Sequence, residues 1–323
     1  MKRFVSFLLA LTVCLTLTSC YAAEPAEAPS VTDEQRLAES IGEVAPLLYM
    51  ATDADGDRVW LFGSIHIGYK ELYPLPSYVM DAFEEADALA VEVDINDMTD
   101  SIGAYGDLMK MVSYTDGTTI KDHIDADLYQ RAVKILEDHL YVTSALETFK
   151  PYIWSSLLDE LLMQQSALDS ANGVDQHLLD LAYDQGKPIV EVESAEEQFA
   201  MLGGFPDKLQ EMMLEENVDM YERGTASLSF HMLMALWAKG DEKLFSTMLN
   251  QTNRDASADE QEMYEYYQSK LVTERNVTMT DFAEQALTDG RELFICVGAA
   301  HVIGEDAMVD LLRERGYTVE LVK

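Results

Sequence analysis

Apolar positions recur along the chain with two periods, and the changes of period mark its elements. "LLYM" (47–50) and "VWLFGS" (59–64) are short apolar runs on either side of "ATDADGDR", and Asp-Gly between two such runs predicts a β-hairpin. The alternating Asp53, Asp55 and Asp57 lack the glycine and the distal carboxylate of a calcium loop, so they read as turn residues. In "YPLPSYVMDAFEEADALAVEVDI" (73–95) a helical period begins near Ser77, read as the helix N-cap, and gives way to a β-branched strand. Strand, helix and strand in so short a stretch predict a βαβ unit with parallel strands. "GVDQHLLDLAYDQGKPIVEVES" (173–194) reads as a helix, a turn and a strand. "RELFICVGAAHVIGEDAMVDLLRERGYTVELVK" (291–323) repeats the strand–helix–strand pattern. Between these segments, about 97–170 and 207–290 carry a helical period. The expected fold is α/β: a mostly parallel central sheet built from two βαβ units, with two helix-rich insertions.

The first residues follow a different logic. Lys2 and Arg3 precede the apolar run "FVSFLLALTVCLTL" and then "LTSC", a charged start and a core too short to span a membrane securely. "LTSC" resembles a bacterial lipobox, in which Cys20 becomes a lipidated first residue and residues 1–19 are removed. Ordinary secretion with cleavage near "YAA" is the plainer alternative. Residues 20–45 are Pro-, Ala- and acid-rich at first and read as a lipidated cysteine and tether, leaving 46–323 as the folded unit. The expected location is therefore extracytoplasmic, anchored to a bacterial membrane through an N-terminal lipid only.

Composition narrows the partners. The chain has 59 acidic and 22 basic residues, a net charge of −37, which repels nucleic acid and anionic lipid and attracts cations. Of three cysteines, Cys14 lies in the signal and Cys20 is the lipidation candidate. Cys296 remains as a core thiol, and no disulfide framework is expected.

The chemistry concentrates at strand ends, where ligands collect in open parallel sheets. "GSIH" places His66 just after one strand and "GAAH" places His301 just after another, each in a Gly-x-x-His setting that leaves room beside the imidazole. Glu92 and Asp94 lie on one face late in "LAVEVD", and Glu191 and Glu193 end "PIVEVE". An ionised carboxylate among such apolar neighbours needs a partner, either a metal ion or the Arg275 guanidinium. Asp175 reads equally as a helix cap and as a site residue. His177 and His231, on helical faces, read as structural, and the Met-rich helices around 211–236 as adaptable core or a peptide-binding roof.

These motifs together resemble the TraB/GumN family, which includes the Tiki metalloproteases and the plasmid pheromone-shutdown proteins. "GSIH", Glu92 in "VEVD", "GVDQHL", "GKPIVEVES" followed by Gln198, "ERN" (274–276) and "GAAHVIGEDAMVDLLRERGYTV" carry the likeness over about 46–323. Ser64 and Ile65 stand where the family more often has Thr and a small apolar residue. The resemblance implies a fold like that of erythromycin esterases and a heme-binding lipoprotein group. For the Tiki branch it implies metal-dependent peptide cleavage. It implies a site of His66, Glu92 and His301 as catalytic residues and ligands of a divalent metal (Mn, Co or Zn), with Arg275 catalytic and Asp175, Glu193, Asp94 and Asn276 around them. The expected substrate is a peptide or small molecule. The rival expectations are a non-catalytic peptide-sequestering protein and a heme or metal carrier, and the nearest mechanistic variant is a metal-free hydrolase with His66 as general base.

Overall fold

The computed structural model describes residues 42–96, 102–166, 168–249 and 256–322. The signal at 1–19, Cys20 and the tether up to residue 41 lie outside the described residues. Among the described residues no helix is long and apolar enough to cross a membrane.

The hairpin forms as its pattern predicts: β1 (Leu48–Thr52) pairs antiparallel with β2 (Arg58–Ser64), Leu48 opposite Phe62 and Thr52 opposite Arg58. One carboxylate oxygen of Asp53 accepts the backbone N–H groups of Asp55, Gly56 and Asp57, which is why this acid-rich turn needs no ion to close. Helix α1 (Ser77–Glu85) crosses to β3 (Ala88–Val91). Ser77 is its first helical residue rather than its cap; Pro76 holds that position and no side chain caps the end.

The first helix-rich segment comprises α2 (Ile102–Met111), α3 (Ala126–Asp138), α4 (Pro151–Gln164) and α5 (Val174–Gln185), and leads into β4 (Ile189–Glu191). The second comprises α6 (Ala195–Gly203), α7 (Asp207–Arg223), α8 (Ala226–Lys239), α9 (Glu242–Leu249), α10 (Ala258–Gln268) and α11 (Glu274–Thr288), the last two joined by a π-helical segment, Ser269–Thr273. The chain closes with β5 (Leu293–Gly298), the short helix α12 (Ala299–Val302), α13 (Met308–Glu314) and β6 (Thr318–Leu321).

The six strands form one sheet in the order β4-β3-β5-β2-β1-β6. β4, β3, β5 and β2 run parallel to one another, and β1 is antiparallel to both β2 and β6. The sheet is α/β and mostly parallel. Both strand–helix–strand units are crossovers between strands of the same direction, but neither joins adjacent strands: β5 lies between β2 and β3, and β2 and β1 lie between β5 and β6.

β5 is buried along its whole length, which explains its unbroken apolar run. Phe62, Phe83 and Phe294 pack together in the main core, with Phe294 centred 5.5 Å from Phe62 at a tilt and 5.7 Å from Phe83 edge to face. Met220 and Met234 are buried in that core and Met213 in a second cluster among the helices, so these methionines are packing residues.

Candidate functional site

Because β2, β3, β4 and β5 run the same way, their carboxyl ends open on one edge of the sheet. His66 follows β2 by two residues, Glu92 follows β3 directly, Glu193 lies two beyond β4 and His301 sits in the short helix after β5. The loop after β2 is pinned by three backbone bonds: Gly68 and Asp169 bond each other both ways, and Val174 N–H donates to the Ile65 carbonyl. These bonds bring the first turn of α5, and Asp175 with it, against His66. Asp175 is not the cap of α5, since Gly173 holds that place. Its carboxylate lies 2.9 Å from His66 Nδ1, and a first-turn position suits a carboxylate electrostatically.

The two motif glycines serve close approach, and neither has a positive φ. A Cβ on Gly63 would lie 2.9 Å from the Ala299 Cα, so the end of β2 touches α12 only because no side chain intervenes. Trp237 of α8 bonds the Gly63 carbonyl at 2.8 Å and holds this strand end from the other side. A Cβ on Gly298 would stand 3.3 Å from Glu92 Oε1, 3.6 Å from His301 Cδ2 and 3.7 Å from His66 Nε2. Glu92, His66 and His301 therefore surround one point in space. Gly298→Ala places a methyl group at that point. The expected result is a folded protein by circular dichroism with a stability loss of about 1 kcal/mol or more.

Arg275, from α11, organises the cluster. Nε and Nη2 donate to Glu193, Nη2 also to Glu92 Oε2 at 2.6 Å, and Nη1 to the Leu271 carbonyl and to His301 Nε2 at 3.0 Å. Every N–H of the guanidinium thus has an acceptor in the chain, and Arg275 can take a substrate oxyanion only by giving one up. The tautomer of His301 follows. Arg275 only donates, so Nε2 is the acceptor and Nδ1 carries the proton, which it donates to Asn276 Oδ1 at 2.8 Å. Asn276 Nδ2 in turn donates to the Asp306 carbonyl, fixing the amide orientation. Burial and the Arg275 charge push the His301 pKa down to about 3, so this ring is a neutral fixture.

His66 behaves oppositely. Burial would lower its pKa, but Asp175, with help from the Glu92 charge, raises it to about 9. No hydrogen bond from the described residues reaches its Nε2. His66 lines a cavity of about 30 Å³ with Ser64, Glu92, Asp175, Gln198 and Cys296, room for a water. Burial would raise the Glu92 pKa, yet Arg275 and the Gly298 N–H, 2.7 Å away, hold it well below the usual carboxylate range. Asp175 Oδ1 and Ser64 Oγ, of two residues that line this cavity, are buried with no hydrogen-bond partner among the described residues.

Asp94 lies in the loop beyond β3, which ends at Val91. It accepts from Tyr183 of α5 at 2.6 Å and from the Asn96 N–H of its own loop. Glu191 likewise accepts from the Asp94 N–H and is exposed. His177 stacks on Tyr73 and His231 bonds the Ser166 carbonyl, both structural. Gln198, absent from the predicted site, donates to Glu92 and Glu193 and bridges them. Its place in the first helix after "VEVES" was the available signal. Cys296 is a buried free thiol in β5, as its apolar setting predicts.

A catalytic metal usually has three protein ligands and an open position. His66, Glu92 and His301 would be that set, but here His301 Nε2 and Glu92 Oε2 are both taken by Arg275. Among the described residues no three His, Cys, Asp or Glu side chains stand together as metal ligands. The donor set does not fit a resident metal while the guanidinium holds its position. A heme has no room beside His66 either, given the size of that cavity.

A mostly parallel sheet with a buried histidine–carboxylate–arginine cluster at its carboxyl edge defines the class of this protein. Within that class the chain belongs to the TraB/PrgY/gumN family, whose model matches residues 47–321. It is 27% identical to Uncharacterized protein YbaP of Escherichia coli (strain K12) over 78% of this chain and 87% of that protein. It is 24% identical to Metalloprotease TIKI homolog of Nematostella vectensis over 82% of this chain and 64% of that one. It is 23% identical to Metalloprotease TIKI2 of Xenopus tropicalis over 81% and 57%. No solved structure matches the chain significantly.

Proposed function

We propose that the protein is an extracytoplasmic hydrolase acting on exported peptides, and that His66 activates the attacking water. The observation that carries this reading is the His66–Asp175 pair. Nδ1 is held by a carboxylate, Nε2 has no hydrogen-bond partner among the described residues, and the ring lines a water-sized cavity with Glu92. A base oriented by a carboxylate is the recurring arrangement for activating a nucleophile. In its neutral form His66 takes a proton from water at Nε2. Glu92, Arg275 and His301 keep their bonded geometry and set the field in which that proton moves. The metalloprotease names of the two TIKI relatives support peptides as the substrate class and, as a finer reading, dependence on Mn, Co or Zn. On this chain that metal reading requires Arg275 to move off His301 and Glu92.

The test is a mixed peptide library incubated with the protein, read by mass spectrometry, with each metal and with chelator. Cleavage is expected, with His66→Ala lowering the rate by about 10²–10⁴. Cleavage abolished by chelator and restored by one metal would favour the metal reading. Retention of peptides without cleavage under any condition would replace the hydrolase with a sequestering protein.

The unit proposed for this activity is 46–323, carried on a membrane by lipid at Cys20 after removal of 1–19, with no nucleic-acid partner. Cys20→Ala should leave the protein soluble or its precursor uncut. A variant that sediments with membranes and migrates as wild type does would refute the anchor.

A further inference from the structure

A second cavity, of about 520 Å³, opens beside the catalytic cluster, and nothing so far has given it a role. It lies between α6 and the α10–α11 helix. Its floor is the polar network itself, Glu193, Gln198 and Arg275, and Gln198 lines both this cavity and the small one at His66. Its walls are Val192, Met201, Phe205 and Tyr266. The Phe205 and Tyr266 rings meet edge to face, 6.3 Å apart at 80°. The π-helical segment shapes this wall. One extra residue in a turn brings Arg275 to the helix face that carries Tyr266 and Lys270, and the Leu271 carbonyl in that wide turn accepts from the guanidinium. Single π-turns inside α-helices concentrate at functional sites for this reason.

We propose that this cavity binds the substrate's side chains beside the reacting bond, and that it selects uncharged or basic peptides with a large apolar or aromatic residue. The proposal rests on the peptide-hydrolase reading above. Size supports it, because the volume falls within the ~300–1,000 Å³ of ligand sites and exceeds the needs of one side chain. Aromatic and thioether walls favour apolar and ring side chains. Charge excludes acidic peptides. Arg275 is neutralised by Glu193 and Glu92, and Lys270 pairs with Glu274 at 2.9 Å. Glu197 on the rim has no cationic partner among the described residues, only its capping box with Ser194, and the whole chain is strongly negative.

The experiment compares three blocked tripeptides, acetyl-Ala-Phe-Ala-amide and its Gly and Glu counterparts at the central position, by titration calorimetry and by hydrolysis. The protein is the full chain, as wild type, Ala200→Trp and Tyr266→Ala. Ala200 is an exposed residue of the lining, so tryptophan there fills the cavity without disturbing the core. The Phe peptide should bind at least tenfold more tightly than the other two, and Ala200→Trp should abolish that preference with circular dichroism unchanged. Tyr266→Ala should weaken Phe-peptide binding severalfold. Phe-selective binding sensitive to both variants, without hydrolysis, keeps the cavity assignment and overturns the hydrolase. Hydrolysis indifferent to the central residue and to both variants keeps the hydrolase and overturns the cavity. Failure of the wild type to bind the Phe peptide also overturns it.

Discussion

Arg275→Met is expected to destabilise the domain by about 3–5 kcal/mol, because it leaves two carboxylates buried without their cation. Arg275 is 9% exposed, and its Nη2 lies 2.6 Å from Glu92 and 2.7 Å from Glu193. Glu92 cannot turn to water without also releasing the Gly298 N–H at the end of β5. Arg275→Lys should recover little. A lysine has three donors on a single nitrogen and cannot reach Glu193, Glu92, Leu271 and His301 together. Urea unfolding checks this, and the triple variant Arg275→Met with Glu92→Gln and Glu193→Gln should regain part of the loss. A loss below about 1 kcal/mol for Arg275→Met would show that the network is not what holds these strand ends.

Raising the pH from about 6.5 to about 9 should lower stability and raise the rate of the proposed hydrolysis together, both through His66. Its folded pKa is raised to about 9, above the ordinary imidazole value. A raised pKa contributes stability that is fully present below the unfolded value and is lost as pH climbs through the folded one, here roughly 3 kcal/mol. Over the same window the neutral, water-activating form of His66 becomes populated, so the rate increases. Asp175→Asn removes the charge that raises the pKa and leaves burial to lower it. That variant should show a flat stability between pH 7 and 9 and a rate profile displaced to lower pH. Denaturant titrations at the two pH values check the first half without relying on activity. A wild-type stability unchanged across the window would dismiss the ion pair. Glu92 acts in the other direction, its depressed pKa contributing stability that is present above the ordinary carboxylate range and lost in acid.

The gathering of His66, Glu92 and His301 was legible because it depends on local rules. Each residue follows a run that can only be a buried strand, and parallel strands collect their ends on one edge. The motif glycines were legible as room beside the histidines, although the neighbours they accommodate are helix α12 and the Glu92 carboxylate. The bonds of Asp94 to Tyr183 and Asn96 were not legible, because alternation holds only while a strand lasts, and where β3 stops is decided by its pairing with β4 and β5, three to four residues on each side. The choice between metal ion and guanidinium as partner of Glu92 stayed open in the sequence. Arg275 stands 183 residues from Glu92, on a helix whose π-turn has no compositional mark.

The sequence by itself determined the hairpin, the parallel strands, the helical insertions and the residues that meet at the strand ends. Periodicity, glycine spacing and turn chemistry act over a few residues and are written in their order. Only the tertiary structure decided that β6 crosses to the far side of β1, that Arg275 saturates its donors within the site, and that a cavity with a polar floor and partly apolar walls opens beside Gln198. Those outcomes depend on which surfaces pack together and which polar groups become buried with which partners, and such contacts form between residues far apart in the chain.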